Sequence, residues 1–588
     1  MKSRYRTRIA VLALGLSVVV AVAATAAFAA TSKSARSTAD RKCPIATGSG
    51  DAAFVKNFNP FNVGASRDFT WGGIYENLLI STAVGGGRQY NILGQSFAFS
   101  NGGKTLTITV RPNVKWSDGR PLTAEDVLYS LTIGRQDKAA DRISLVAANS
   151  NIAGVARVGS NKVAIRFKQV DSTFLGSQLP NVPIVPKRIW SKVKDVTGFA
   201  NPNPVGSGPF NRVTRFSGQS YQLSKNTSYW AKGLPRIDCV QRIFTASNDA
   251  GLLQIVSGQA DWTHNFVPNV ESSYMAKDPK NFHNAYLTTG LPVSLTFNTT
   301  EYPYSLVAFR KGVSQAIDRG QVSKIGEYGY GPATTALGLE FLYPKWINPA
   351  LRAKAKQLGT YDPAAARKTF TDAGFTYKGS RLVDPKGSPV TFPMHVIGGW
   401  SDWVSSLQII SRNLQAVGID ASVKIEPDFP SWVSNSAISG TKPSLIWSNG
   451  ANDPSPYAFF FSHFDPSQVV ATGQDAQPFG NFERNPVATA VPLLRQFKGT
   501  LDKKTQLQAA YKLQDIFLDE LPFIPLFIGP RWSTYSTKYF KGWISWQNQY
   551  ADPIYSTQQQ VQISLLSLYY ADSKKNLKAP ALPNALAS

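Results

Sequence analysis

The sequence predicts an α/β protein in which helices cover mixed sheets and the chain is divided among several compact units. Three observations lead there. The chain has 588 residues, and single hydrophobic cores stop growing beyond about 250–300 residues. Segments alternating apolar and polar at period two stand beside segments with helical spacing. In the second half, helices run directly into strands, the order that produces helix-covered sheets. A chain that is 43% hydrophobic and 17% charged has the composition of a folded protein.

The N-terminus reads as a targeting segment. Lys2, Arg4, Arg6 and Arg8 precede an apolar run over 9–30 that ends in Ala27-Phe28-Ala29, a small-residue cleavage pattern. Residues 1–30 are therefore expected to be a signal peptide, and the protein to be exported. A retained anchor is the alternative, since the run is long enough to span a bilayer. The polar residues 31–42 suit a flexible leader.

Leu106-Thr107-Ile108-Thr109-Val110 alternates as a half-buried strand does, and so does Lys162-Val163-Ala164-Ile165-Arg166-Phe167. Residues 122–132 have helical spacing, with Thr123 as N-cap and Asp126 three residues on. Asp362-Pro363 opens a helix that runs to Asp372 and stops at Gly374. Val404, Leu407, Ile410, Leu414 and Val417 mark one face of a helix over 402–417. Gly418 ends it, and a strand follows over 419–425. A further amphipathic helix covers 505–520. No internal repeat is found.

The formal charge is +25. A nucleic-acid binder concentrates its cations in patches. Here they are scattered, with short pairs such as Lys503-Lys504, so the charge reads as a solvated basic surface and no nucleic-acid partner is expected. The chain lacks the G-x-S-x-G elbow and the H-E-x-x-H helix of hydrolases. Gly103-Lys104-Thr105 has Ala98 where a phosphate loop needs its first glycine. His264, His283, His395 and His463 lack metal-ligand spacing. No catalytic residue, metal or cofactor is expected, and a secreted hydrolase is the remote alternative.

A series of ordered segments then carries a resemblance. It begins with Asn59-Pro60-Phe61 and Ile74-Tyr75-Glu76-Asn77-Leu78-Leu79. The most specific part is Val114-Lys115-Trp116-Ser117-Asp118-Gly119 with Pro121-Leu122-Thr123-Ala124-Glu125-Asp126-Val127. Gly206-Ser207-Gly208-Pro209-Phe210, Phe297-Asn298-Thr299-Thr300 and Val313-Ser314-Gln315-Ala316-Ile317-Asp318-Arg319 follow. Tyr361-Asp362-Pro363 and Leu521-Pro522-Phe523-Ile524-Pro525-Leu526 complete it. In these the chain resembles the large extracytoplasmic solute-binding proteins of peptide-type ABC importers, whose members bind oligopeptides, dipeptides, nickel and some oligosaccharides. Most of the segments read as structural: Ser117-Asp118-Gly119 as a turn, Thr123 onward as a helix start, Asp318-Arg319 as a helix end.

The resemblance implies a two-lobed, periplasmic-binding-protein-like fold of the large class. Lobe I would span 43–290, with an inserted subdomain over about 76–205. Lobe II would span 291–527, and 528–588 would return to lobe I. Hinges are expected near 291–298 and 527–531, and ligand is expected to be trapped between the lobes. Cys43 and Cys239 fall in the same lobe and suit one disulfide, two buried thiols being the alternative. Cys43 follows Asp40-Arg41-Lys42 and lacks the small apolar neighbours of a lipid-attachment site.

In peptide-binding members an acidic residue meets the ligand's amino group, within a segment resembling residues 446–456 here. Aligning its final proline puts Asn452 at that position, with Asp453 adjacent. Either Asp453 takes the role, or the ligand lacks a free amino terminus, or Asn452-Asp453-Pro454 is only a turn. Trp400, Trp403, Trp432 and Trp447 could cover apolar side chains or stack on sugar rings. The expected ligand-binding set is Asn59, Trp400, Trp403, Trp432, Trp447, Asn449, Gly450, Asn452 and Asp453. A peptide is the first expected ligand and an oligosaccharide the second. The expected protein partner is an ABC importer permease at the outer face of the cytoplasmic membrane, with the chain acting as a monomer.

Overall fold

The computed structural model describes residues 41–573 apart from 63–67, 83, 85–87, 149, 289–291, 439, 441–442, 448–453, 475–480 and 557. The chain divides into two units, Met1–Lys42 and Cys43–Ser588, and the second is described here. Its first sheet has seven strands. At the centre, Ile45–Gly48 pairs in parallel with Cys239–Ile243 on one side and Trp262–His264 on the other. Ser220–Ser224 and Arg212–Ser217 extend one edge, and Thr534–Ser536 and Phe282–Asn284 the other, all antiparallel. Cys43 and Cys239 are joined in a disulfide with their Cα atoms 4.8 Å apart. It ties the entry of the central strand to its neighbour across a sequence separation of 196. Closing so long a loop restricts the unfolded chain by on the order of 5 kcal/mol in chain-entropy terms.

Next in sequence comes a four-stranded antiparallel sheet: Gly94–Ser100, Thr105–Val110, Lys162–Phe167 and Ile152–Val158. Leu106, Ile108 and Val110 are buried on one face of their strand, as the period-two pattern requires. The helix Ala124–Thr132 covers this face. Its start is a capping box: Thr123 N–H donates to Asp126 Oδ2 at 2.9 Å, satisfying a donor the helix leaves unpaired. Gly119 takes φ +84° in the preceding turn.

The second large sheet has five strands, in the order Asp420–Glu426, Thr391–Ile397, Ser444–Trp447, Pro292–Thr296, Ile524–Ile528. The first three are mutually parallel, Pro292–Thr296 runs antiparallel to both of its neighbours, and Ile524–Ile528 therefore runs in the direction of the first three. The parallel pair Thr391–Ile397 and Asp420–Glu426 is connected by the helix Ser401–Ala416, the crossover such pairs need. Leu407, Ile410 and Leu414 of this helix are buried, in the predicted spacing. Pro363–Asp372 and Lys503–Glu520 are the other predicted helices. Both are N-capped by aspartate, Asp362 and Asp502.

Two passages connect the large sheets. Between Asn284 and Pro292, and again between Ile528 and Thr534, the chain leaves one sheet and enters the other. Leu287 and Arg531 bridge these passages. Pro292–Thr296 is interior to the five-stranded sheet and Ile524–Ile528 lies at its edge; both are fully buried. Beyond the second passage, the buried helix Val561–Ser567 packs on both cores of the first half, and Gln562 donates to buried Glu76 at 2.7 Å.

One local expectation changes. Asp318-Arg319 does not close a helix: Val307–Ala316 has already ended, and Asp318 caps the new turn Arg319–Gln321. Arg319 lies buried, with its guanidinium donating to the carbonyls of Ser314, Gly359 and Pro525.

Candidate functional site

A cavity of about 520 Å³ opens where the two sheet systems face each other. That volume is ordinary for a small-solute site, typically about 300–1,000 Å³. One wall comes from the loop after the first central strand, residues 49–55, from Asp68 and Trp71, and from strand residues Tyr221, Arg242 and His264. Phe266, Trp532 and Tyr555 complete that side. The opposite wall is Trp400, Asp402 and Trp403, at the start of the helix Ser401–Ala416, with Phe429 and Pro430. Aromatic faces dominate both walls.

The walls already touch. Asn248 on the first side donates its backbone N–H to Gly399 O at 2.9 Å. Its side-chain amide donates to Ser401 Oγ at 3.2 Å and Asp402 Oδ1 at 3.1 Å. Trp400 Nε1 donates to Ser49 O at 3.3 Å. Two glycines permit this approach. A Cβ on Gly399 would lie 2.3 Å from Ala246 O. A Cβ on Gly50, which holds φ +80°, would lie 2.7 Å from Trp400 Nε1.

Arg242 organises the first wall. It is buried, and Nη2 donates to both oxygens of Asp51 at 2.7 and 2.8 Å while Nε donates to Asp68 Oδ2 at 2.9 Å. Nη1 bonds the carbonyl of Ile243. The guanidinium also lies 4.8 Å from the Tyr555 ring centroid. Burial, outweighing the attraction of Arg242, pushes the Asp51 carboxyl up to about 6. His264 bonds Ser556 Oγ at 2.7 Å. Burial, together with Arg531 and Arg242, pushes its imidazole down to about 3, so it is neutral at physiological pH.

Asp402 occupies the second wall at 4% exposure, in the first turn of its helix. Burial pushes its carboxyl up to about 6. Behind it lies Glu327, fully buried, which accepts from Ser406 Oγ at 2.9 Å. Burial, with the charge of Asp402, pushes Glu327 well above the carboxylate range.

Of the residues nominated from sequence, Trp400 and Trp403 line the cavity, their rings edge-to-face at 4.9 Å. Trp432 does not. The short helix Phe429–Trp432 sets its first and fourth residues side by side, Phe429 at the cavity and Trp432 behind it on Ile397. Trp432 Nε1 donates to Ser444 Oγ at 2.7 Å. Asn59 does not line the cavity either. Its Nδ2 donates to the carbonyls of Val196 and Phe199, latching a loop. Trp447 lies on the strand Ser444–Trp447. Asn449, Gly450, Asn452 and Asp453 lie outside the described residues.

Sequence reasoning missed Asp402, Phe429, Arg242, Asp51 and Asp68. Asp402 stands between two nominated tryptophans and was within reach. Arg242 was not, since its partners are 174 and 191 residues away. His283, His395 and His463 lie outside the cavity lining. His395 Nδ1 is 2.5 Å from Glu426 Oε1, and His463 pairs with Glu483.

Comparison with known proteins places this geometry. The family model of bacterial extracellular solute-binding proteins, family 5, matches residues 90–470. The glutathione-binding protein GsiB of Salmonella paratyphi A is 25% identical over 472 residues, covering 77% of this chain and 83% of that protein. GsiB of Salmonella typhi is 27% identical over 342 residues, 57% of this chain and 60% of that protein. Among solved structures, the periplasmic oligopeptide-binding protein of Thermotoga maritima, with mannohexaose bound, superposes with a TM-score of 0.80 at 24% identity. It covers 90% of this chain and 99% of its own. The oligopeptide-binding protein AppA of Bacillus subtilis, in complex with a nonapeptide, gives 0.71 at 18% identity, covering 90% and 100%.

Proposed function

The chain belongs to the bacterial extracellular solute-binding proteins of family 5, and from that premise we propose that it captures a peptide in the cavity between the two large sheets and delivers it to the permease of an ABC importer. The single observation behind this reading is the cavity itself: about 520 Å³, aromatic on both walls, with each wall supplied by a different sheet system. Such a site can enclose a solute when the halves close and release it unchanged when they part. The passages between Asn284 and Pro292 and between Ile528 and Thr534 would act as the hinge. They adjoin the stretches near 291–298 and 527–531 nominated from sequence, whose strand Pro292–Thr296 is held by pairing on both sides. The halves they join would be the two lobes, with the four-stranded sheet in the subdomain of the first. Trp400, Trp403 and Phe429 would cover the solute on one side.

Family membership supports an exported chain at the outer face of the cytoplasmic membrane, working as a monomer. The expected signal peptide falls outside the described residues. Among those described, no helix is long and apolar enough to cross a membrane. The relatives named above are binding proteins, which supports capture without catalysis. An oligosaccharide is the second reading, favoured by indole faces at Trp71, Trp400, Trp403 and Trp532 that can stack on sugar rings.

The test exposes the mature protein to defined peptide and oligosaccharide sets, following thermal stabilisation, scattering radius and product formation. Peptides that raise the melting point by several degrees, with a smaller radius and no product, are expected. Stabilisation by sugars alone would transfer the assignment to the second reading. Steady conversion of a ligand, or no response to any solute, would overturn capture.

A further inference from the structure

The excess of cations is scattered along the chain, but the fold gathers two acid-free stretches of it. Between Glu76 and Asp118 the sequence has no acid, and between Asp141 and Asp171 it again has none. These stretches supply all four strands of the antiparallel sheet Gly94–Ser100, Thr105–Val110, Lys162–Phe167 and Ile152–Val158.

One face of that sheet belongs to its core: Leu106, Ile108, Val163 and Ile165 are buried there with Val127 and Leu131 of the helix Ala124–Thr132. The register fixes the opposite face. Thr105, Thr107 and Thr109 stand beside Arg166, Ala164 and Lys162. Ser100, Ala98 and Ser96 flank them on one side, and Gly154, Ala156 and Val158 on the other. Neighbouring strands lie about 4.8 Å apart, so these positions form one continuous platform. Small side chains keep it flat, and Phe97 and Phe99 alternate to the other side. Lys162 and Arg166 are exposed on it, and exposed Lys168 follows just past the end of their strand. Among the described residues no ion pair engages these three cations. Acids of the adjoining elements are committed elsewhere: Glu125 to Lys187, Asp118 to Arg188, and Asp126 and Asp171 to helix starts.

Such a platform offers a partner charge and little else. A protein interface draws its affinity from aromatic and other anchors seated in pockets. Single-stranded nucleic acid needs aromatic faces to stack on, and a duplex groove needs a protruding helix or ribbon. The positions named above supply none of these. A plane of anionic headgroups needs only cations on a flat surface.

We infer that the outer face of the four-stranded sheet docks the chain on an anionic lipid bilayer through Lys162, Arg166 and Lys168. The cavity is lined by other elements, so the inference goes beyond solute capture and does not depend on which solute is taken. It gives an exported chain a hold on the membrane where Cys43 lacks the neighbours of a lipid-attachment site.

Cosedimentation of the mature protein with vesicles tests this. Phosphatidylcholine vesicles holding about one-third phosphatidylglycerol are compared with pure phosphatidylcholine, at low salt and at about 1 M, where the Debye length is about 3 Å. Binding to the anionic vesicles at low salt is expected, with none to the neutral ones and loss in high salt. Each cation near the headgroups is worth about fivefold in partitioning, so Lys162→Gln/Arg166→Gln/Lys168→Gln should lower it about 100-fold. Arg352, Lys356 and Lys386 are exposed on the other half of the molecule. Arg352→Gln/Lys356→Gln/Lys386→Gln removes the same charge there and should leave partitioning within about threefold. Thr107→Glu, which puts a carboxylate at the centre of the platform, should weaken binding about fivefold. The lipid and salt comparisons on the unaltered protein stand if a variant does not fold. No binding to anionic vesicles, equal binding to neutral ones, or the same loss from both triple variants would overturn the inference. Binding through these cations to an oligonucleotide and not to vesicles would overturn it equally.

Discussion

The two walls of the cavity treat buried charge in opposite ways. On the first wall, Arg242 sits between Asp51 and Asp68 with every hydrogen bond directed, and the cluster also packs on Tyr555. On the second, Asp402 and Glu327 are two buried acids with no cation against them among the described residues. Removing charge from water costs several kcal/mol per ion, and it is offset only where an opposite charge is well placed. The first wall meets that condition by itself and behaves as structure. The second relies on neutral donors instead: Asp402 accepts from Asn248 and sits in the first turn of its helix, where the backbone favours a negative charge.

The largest expected effect breaks the balanced wall. Arg242→Met strands two half-buried carboxylates beside a buried site and should destabilise the protein by about 3 kcal/mol. Urea unfolding with the disulfide intact measures it, and a change under about 1 kcal/mol would show that the cluster is not the wall's support.

Next comes the unbalanced wall. The folded-state pKa of Asp402 is raised from 3.8 to about 6. Between those values the native state holds more proton than the unfolded one, so stability falls as the pH rises through the window. Asp402→Asn should flatten that slope by up to about 3 kcal/mol across pH 4–6. An identical slope in wild type and variant would place the charge elsewhere.

The smallest effect concerns the connection between the walls. Asn248→Ala removes two side-chain hydrogen bonds to Ser401 and Asp402 and should weaken ligand affinity by about 1–2 kcal/mol while hardly changing the melting point. Solution scattering should show a larger radius for the unliganded variant. An unchanged radius and affinity would mean that these bonds do not hold the halves together.

Local physical chemistry is readable from local sequence, and the elements that depend on it follow the expectation closely. Thr123 with Asp126 reports a helix start because the capping bonds span three residues. Leu407, Ile410 and Leu414 report a buried face because the helical repeat is short. Pro363 and Gly374 mark a start and a stop through their own backbone preferences. The family was legible in the same way, through short motifs in order. Trp400, expected at the cleft from its place in a loop before a helix, lines the cavity together with Trp403. Trp432 lies one helical turn from Phe429, which lines the cavity: the strand-to-helix neighbourhood was readable, but not which of the two aromatic residues faces the cavity.

What the sequence by itself determined is the set of elements, their order and the class of molecule, since capping, periodicity and turn chemistry act over a few residues. Tertiary structure alone decided the site. Asp51, Asp68 and Arg242 become one cluster, and Asn248 meets Asp402, only when segments 154–191 residues apart are folded together. Burial, which raises the carboxyls of Asp51 and Asp402, belongs to that assembled environment and to no residue by itself.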